Sequence, residues 1–173
     1  MARSDRSQHS EADCDLSATV AAALRMLARR SYTEAELRAR LERRRGADSQ
    51  SVGAALARLT ELGLIDDAAW AERFVIDRFE RAGRGRHRIV SELATRGIEA
   101  ELAASVVARV IDPERERESA RALMARLMGG PAAAGALPQT GERGRASAYR
   151  RLVARGFPAA MIRGLIRDLL ADS

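Results

Sequence analysis

Several residue types are scarce or missing in this chain, and each shortage excludes a class of protein. The 173 residues include one cysteine, Cys14, and only 3% aromatic residues. A single cysteine excludes a disulfide framework and a four-cysteine zinc site, and it favours a reducing, cytoplasmic location. Few aromatics leave no obvious platform for stacking bases. No apolar run approaches the roughly eighteen residues of a membrane span, and the N-terminus lacks the apolar core of a signal peptide. We therefore expect a soluble intracellular protein without a membrane partner.

Lysine is also absent, so all 30 basic residues are arginine, against 24 acidic residues and a net charge of +6. A GC-rich genome explains most of this bias, because its codons favour arginine and alanine. Arginine also has a functional use, since its planar guanidinium binds phosphates and carboxylates bidentately. Composition alone does not separate the two explanations.

No catalytic constellation is apparent. His9 lies in the polar N-terminal stretch and His87 lies among arginines, while Cys14 has no histidine at a recognisable spacing. The pair Asp66 and Asp67 is better explained as a helix cap than as part of a metal site. We therefore expect no enzyme, no metal site and no cofactor.

One phrase occurs twice in the chain, as LATRGI at 93–98 and LVARGF at 152–157, with a looser version around Gly46. Apolar residues recur every three or four positions on both sides of each glycine, which predicts a helix before and after it. Gly97 and Gly156 stand where a left-handed residue ends a helix. The arginine before each lies in the last turn, near the negative end of the helix dipole. The phrase predicts a helix–turn–helix corner, and its recurrence predicts tandem repeats.

A further helix precedes each pair. Its inward residues are expected to be Val20, Leu24 and Leu27 in the first repeat, Trp70, Phe74 and either Val75 or Ile76 in the second, and Ala120, Leu123, Leu127 and Met128 in the third. Expected caps are the box formed by Thr33 and Glu36, one of the two aspartates at 66–67, and Asp112 before Pro113.

The sequence thus predicts an all-α fold of three tandem three-helix repeats, with no strand. The expected boundaries are a disordered N-terminal tail at 1–17, repeat 1 at 18–66, repeat 2 at 67–112, and repeat 3 at 113–173. A stretch rich in Gly, Pro and Ala at 129–144 is expected to be a flexible loop within repeat 3.

The second helix of every repeat is rich in arginine. A recurring basic helix would form a discontinuous stripe along the array and would favour an anionic partner. The alternative is a solvated helix face laced with ion pairs, such as Arg88–Glu92–Arg96. For Arg96 and Arg155, a purely structural role is about as well supported as contact with a ligand.

The sequence resembles the RecX family of bacterial recombination regulators over roughly residues 18–170. The specific part is the middle stretch LGLIDDAAWAERFVIDRFERAGRGRHRIVSELATRGI, in which Trp70, Phe74, Arg78 and Gly83 fall in the order and spacing of the family. The resemblance implies an elongated, curved array of three-helix repeats.

The resemblance also implies a function. RecX-like proteins bind along the groove of the RecA–DNA filament and inhibit ATP hydrolysis, strand exchange and coprotease activity in recombination and SOS repair. They use no cofactor, and they bind single- and double-stranded DNA. We expect this chain to act as a monomer through a basic face formed by Arg38, Arg40, Arg44, Arg45, Arg84, Arg86, Arg88, Arg96, Arg143, Arg145, Arg150, Arg151 and Arg155.

Two other classes of function stay open on the sequence. A helix-turn-helix-like DNA-binding protein would read bases from one helix and usually act as a dimer. Because the chain has no asparagine or lysine and little glutamine, direct base readout would depend almost wholly on arginine. A purely protein-binding helical scaffold would bind its partner with little dependence on salt.

Overall fold

The structure, a computed structural model, describes residues 3–44, 48–128 and 141–171, with side chains from residue 15 onward. Throughout those ranges the secondary structure is helical and contains no strand. The described residues form nine α-helices: α1 (Arg3–Leu27), α2 (Glu34–Glu42), α3 (Ser49–Glu61), α4 (Asp67–Ile76), α5 (Arg86–Ala94), α6 (Ala100–Val110), α7 (Pro113–Leu127), α8 (Glu142–Ala154) and α9 (Ala159–Ala171). A π-helical turn, Asp77–Arg81, continues α4. The predicted all-α fold is confirmed.

The helix starts follow from local capping chemistry. Thr33 accepts a hydrogen bond from the Glu36 amide at the start of α2, and Asp112 accepts from the amides of Glu114 and Arg115 at the start of α7. These side chains satisfy amide groups that have no partner within the helix. Of the two aspartates, Asp66 caps α4 by accepting from the Ala69 amide at 2.8 Å.

Two predicted boundaries differ from the structure. The backbone is helical from Arg3, although a disordered tail is expected through residue 17. No proline or glycine interrupts the first 45 residues, so the chain carries no helix breaker there. Helix α8 begins at Glu142, inside the loop predicted at 129–144. The rest of that predicted loop, 129–140, lies outside the described residues.

The chain divides into two compact units, Met1–Ala71 with Thr95–Glu99, and Glu72–Ala94 with Ala100–Ser173. In the first unit α1, α2 and α3 pack on one another around a core of small and branched side chains: Ala22, Ala23, Leu37, Leu41, Val52, Leu56, Leu59 and Ile65. Full burial of each leucine stabilises the unit by roughly 1.5–3 kcal/mol before the entropy of ordering is subtracted.

In the second unit α5 packs on α6, and α7, α8 and α9 pack on one another. The core around α7–α9 consists of Ala120, Leu123, Met124, Ala148, Leu152, Phe157, Ile162 and Leu165. Residues Val75, Ile89, Leu93 and Val106 are also buried.

One expected core position, Leu24, differs from the structure. Leu24 is 42% exposed, because α1 turns Ala22 and Ala23 inward with Met26 and Leu27 beside them. Of the pair 75–76, Val75 is buried and Ile76 is exposed, while Trp70 and Phe74 are half-buried.

The repeated Arg-Gly corner makes a tertiary contact that the periodicity of the sequence does not predict. The corner of repeat 2 (Thr95–Glu99) belongs to the first unit, where the buried Thr33 hydroxyl donates to the Arg96 carbonyl oxygen at 2.8 Å. The corner of repeat 3 (Arg155–Phe157) makes the equivalent contact in the second unit. There the Gly85 amide donates to the Arg155 carbonyl at 2.9 Å, and the His87 amide donates to the Gly156 carbonyl at 3.0 Å.

Each corner therefore docks on the N-terminus of the second helix of the preceding repeat. Gly97 and Gly156 have φ of 79° and 90°, as predicted for left-handed C′ residues. A Cβ on Gly97 would overlap the Ala35 Cβ, and a Cβ on Gly156 would overlap the backbone of Arg88. Glycine is thus required twice over, by its φ and by the close approach of two chain segments. This corner-and-helix contact explains why the compact units do not coincide with the sequence repeats.

Candidate functional site

The predicted basic residues fall into two groups, according to whether the guanidinium forms an ion pair with a carboxylate of the same chain. The paired group consists of Arg38, Arg84, Arg86, Arg88 and Arg96. The other group forms no ion pair with any side chain that the structure describes: Arg40, Arg44, Arg143, Arg145, Arg150, Arg151 and Arg155. Arg45 lies outside the described residues.

Glu92 is the centre of the paired group in repeat 2. Its carboxylate lies 2.8 Å from Nε of Arg88, 3.2 Å from Nε of Arg78 and 3.9 Å from Nε of Arg84. The Glu92 side chain is only 21% exposed, so this carboxylate is poorly solvated and attracts the cations strongly. The expected Arg88–Glu92 pair is confirmed, and the α5 arginines are largely neutralised within the protein.

Glu116 on α7 engages Arg86 at the start of α5. The carboxylate is fully buried and accepts from both the amide and Nε of Arg86. A buried carboxylate without such partners would cost several kcal/mol, so this pair is a structural tie between α5 and α7. Arg86 is therefore poorly placed to serve a partner.

Arg96 and Arg38 are also held inside the first unit. The Arg96 Nη1 donates to Glu36 at 2.9 Å, and its guanidinium stands over the Trp70 ring, 5.4 Å from the centroid. Arg38 pairs with Glu34 one helical turn away at 2.8 Å. Arg96 thus has a structural role, fixing the corner of repeat 2 on α2.

Helix α8 presents the second group in repeat 3. Its Ala148 and Leu152 are buried, while Arg143, Arg150 and Arg151 are exposed on other faces and Arg145 is half-exposed. Arg155, just after the helix, donates to the Ala82 carbonyl at 3.4 Å and is otherwise exposed. Several cations on one solvated helix, with no described carboxylate among their partners, make a surface suited to an anionic ligand.

Two aspartates in the first unit have shifted pKa values. Desolvation raises the pKa of Asp67, although the hydrogen bond that its carboxylate accepts from the Glu34 amide acts in the opposite direction. The pKa of Asp48 is lowered, because this cap of α3 accepts hydrogen bonds from the amides of Ser51 and Gln50. Asp48 caps α3 and Asp67 accepts from the first amide of α2, so each carboxylate has a structural use.

Most of the carboxylates that organise the arginines leave no signal in the sequence. Glu92 alone carried a signal, its four-residue spacing from Arg88. Glu36 and Glu116 meet arginines far along the chain, at 96 and 86. Among the residues that the structure describes, no group of His, Cys, Asp and Glu is arranged to hold a metal, and no helix is long and apolar enough to cross a membrane.

The fold and surface together define a protein built from three-helix repeats that carries arginine-rich helices. Comparison with known proteins identifies this class more closely. Residues 20–59 match the first three-helix domain of RecX, and residues 66–107 match the second. Over 151 residues the chain is 31% identical to the Regulatory protein RecX of Amycolatopsis mediterranei, covering 85% of this chain and 80% of that one. The chain belongs to the RecX family, as its resemblance in sequence predicts.

Other relatives agree with this assignment. The Regulatory protein RecX of Mycolicibacterium smegmatis is 41% identical over 101 residues, which cover 58% of this chain and 53% of the relative, so the match spans about half of that protein. A crystal structure of RecX from Lactobacillus salivarius matches with a TM-score of 0.78 at 22% identity, covering 91% of this chain and 97% of the other. A second crystal structure, of a regulatory protein RecX, has a TM-score of 0.80 at 18% identity and covers 96% and 79%. These two structural similarities show the fold alone.

Proposed function

We propose that this chain is a negative regulator of the RecA recombinase. It binds as a monomer along the groove of the RecA–DNA filament and inhibits ATP hydrolysis, strand exchange and coprotease activity in homologous recombination and the SOS response. It does so by occupying a surface of the filament, without a cofactor or a catalytic step of its own. Family membership supports this class of role, since the relatives are named regulatory proteins.

The observation that carries the proposal is the set of guanidinium groups on α8 without a described carboxylate partner. Arg143, Arg150 and Arg151 are exposed on a helix whose opposite face is buried. Such a helix is held rigidly by its apolar side and directs its charge outward. A filament of recombinase on DNA offers two kinds of anionic surface, acidic side chains and phosphates, and arginine forks bind both.

Repetition supports the same proposal. Each repeat presents a second helix that carries arginine, and a recombinase filament presents one equivalent surface for each protomer. Several weak contacts made in series bind far more tightly than one, because the later contacts form within a single complex. Repeat 2 contributes less charge than the others, because Glu92 and Glu116 hold its arginines.

The test is the DNA-stimulated ATPase rate of the RecA filament as the chain is titrated in, with free single-stranded and duplex DNA as competitors. Inhibition well below one chain per recombinase, surviving excess free DNA, would support a filament regulator. If any competing DNA abolishes the inhibition, the chain is instead a general DNA-binding protein, and the proposal fails.

A pair of variants sharpens this test. Arg150→Ala with Arg151→Ala removes two exposed charges of α8 and should weaken inhibition. Arg115→Ala with Arg117→Ala is the matched control: it also removes two charges from the second unit, but these pair with Glu80 and Asp168. Exposed ion pairs contribute little to stability, so both variants should fold. Equal loss of inhibition in the two variants would show that net charge matters and the α8 surface does not.

A further inference from the structure

Arginines crowd around a cleft between α1 and α2 in the first unit. The cleft has a volume of about 460 Å³ and is lined by Tyr32 and by five arginines, Arg25, Arg29, Arg40, Arg43 and Arg44. All five arginines are exposed. No carboxylate lines the cleft, and none of the five guanidinium groups forms an ion pair with a side chain in the described part of the chain.

Helix dipoles do not account for this concentration of charge. Arg25 and Arg40 lie in the last turns of α1 and α2, where cations are favourable. Each helix end supplies the equivalent of only about half a negative charge, so two ends offset about one of the five positive charges. The cleft therefore keeps an excess of positive charge that no ion pair with a described side chain offsets.

Comparison of the three repeats shows that repeat 1 lacks an acidic residue that repeat 2 has at the aligned position. The residue before the aligned leucines Leu41, Leu93 and Leu152 is Arg40 in repeat 1, Glu92 in repeat 2 and Arg151 in repeat 3. In repeat 2 this position is the carboxylate that binds three guanidinium groups. Repeat 1 has arginine where repeat 2 has the acid, so its cations lack this internal partner and are available to an external anion.

Tyr32 adds a planar element to the cleft. Its half-buried ring lies under two guanidinium groups, with Arg30 at 4.2 Å and Arg40 at 5.1 Å from the centroid. Arginine planes stacked on an aromatic ring are a surface on which unpaired bases also stack. An acidic peptide would use the charges but would gain nothing from this surface.

We propose that the α1–α2 cleft of the first unit binds consecutive phosphates of a single-stranded nucleic acid. A phosphodiester chain carries one charge for every nucleotide, which is dense enough to meet five guanidinium groups in so small a volume. A single strand enters a cleft, whereas the rigid cylinder of a duplex presents its phosphates on a convex surface. This assignment deepens the proposed function, since a filament regulator meets single-stranded DNA at its target.

The decisive variant is Arg40→Glu, which places in repeat 1 the acid that repeat 2 already uses. The new carboxylate would pair with the arginines of the cleft and occupy the site from within. Arg58→Glu on α3 is the matched control, because it makes the same change in net charge in the same repeat, away from the cleft. Arg29→Ala, in the turn that follows α1, is a second test that removes a charge without reversing it.

The measurement is the anisotropy of a fluorescent oligothymidine titrated with the full chain at several salt concentrations. Arg40→Glu should weaken binding at least tenfold and lower the slope of log K against log salt by about 1–2, since each single-stranded phosphate contact contributes about 0.7. Arg29→Ala should weaken binding about threefold or more. Arg58→Glu should change affinity less than threefold. Equal effects of Arg40→Glu and Arg58→Glu would overturn the proposal.

Competitors separate the chemical sources of the anion. Unlabelled oligothymidine should displace the probe at far lower charge concentration than polyglutamate or inorganic phosphate. If polyglutamate competes equally well, the cleft is a site for acidic protein segments and the assignment is wrong. Duplex DNA that binds as tightly as the single strand, and equally sensitively to Arg40→Glu, would also overturn it.

The filament ATPase assay keeps this proposal distinct from the proposed function. If the parent chain inhibits the filament while Arg40→Glu leaves the binding of free DNA unchanged, the regulator stands and the cleft assignment fails. If the parent chain does not inhibit, the regulatory function fails, and the anisotropy measurements still decide the cleft.

Discussion

The docking of the corner of repeat 2 on α2 predicts a large effect of Gly97→Ala. The residue has φ of 79°, and an alanine there pays about 1–2 kcal/mol for the left-handed conformation. Its Cβ would also overlap the Ala35 Cβ, and relieving such a clash costs about 1–3 kcal/mol more. The sum is a loss of about 2–5 kcal/mol in the free energy of unfolding of the first unit.

The chain offers a matched control for this prediction. Gly63 follows α3 and has φ of 67°, but nothing lies within 4 Å of a Cβ built on it. Gly63→Ala should therefore lose only the conformational part, about 1–2 kcal/mol. The difference between the two variants measures the close approach at the corner.

Urea unfolding followed by tryptophan fluorescence is the assay, because Trp70 is the only tryptophan and lies in the first unit, under the Arg96 guanidinium. Ala35→Gly should restore part of the stability of Gly97→Ala, since it removes the methyl group that is overlapped. Equal losses for Gly97→Ala and Gly63→Ala, or no rescue by Ala35→Gly, would refute the docking of the corner.

Three further predictions concern polar groups. Glu116→Gln leaves Arg86 without its counterion and should lower the free energy of unfolding by about 1–3 kcal/mol, as measured by urea unfolding. An unchanged midpoint would show that the buried ion pair does not stabilise the fold. Asp112→Ala removes the cap of α7 and should cost about 0.5–2 kcal/mol, with Asp112→Asn recovering most of it. Desolvation raises the pKa of Asp67 in the folded chain, so its contribution to stability falls as pH rises from the unfolded pKa towards the folded one. Asp67→Asn should therefore be more stable than the parent at pH 7, and this advantage should shrink towards pH 4. If the advantage grew on acidification instead, folding would lower the pKa of Asp67, and the prediction would be wrong.

The sequence predicted those features of the fold that depend on local chemistry. The caps Thr33, Asp66 and Asp112 and the left-handed glycines Gly97 and Gly156 act within a few residues, and capping and periodicity rules describe them well. The contacts between the Arg96 carbonyl and Thr33, and between Arg155 and Gly85, join distant segments. No local pattern encodes them, so a corner was predicted and its docking was not.

For the candidate site, the sequence shows where the arginines stand along the chain, but it does not show their partners. Counting arginines on the second helices located the charge, but charge count does not show which guanidinium already has a partner. Glu92 and Glu116 neutralise arginines of repeat 2, a fact that depends on three-dimensional packing. Arg25 lies on α1 and Arg29 in the turn after it, and neither was among the candidates, because only the packing of α1 against α2 brings them to Arg40.

The most direct test of the central claim compares two affinities of the chain at one salt concentration. One is the affinity for a RecA–single-stranded DNA filament, and the other is the affinity for the same DNA without RecA. A regulator that contacts both the recombinase and phosphates should bind the filament at least tenfold more tightly than bare DNA, and Arg150→Ala with Arg151→Ala should reduce that preference. Equal affinity for filament and bare DNA would contradict the account, and it would leave a basic helical protein whose target is nucleic acid alone.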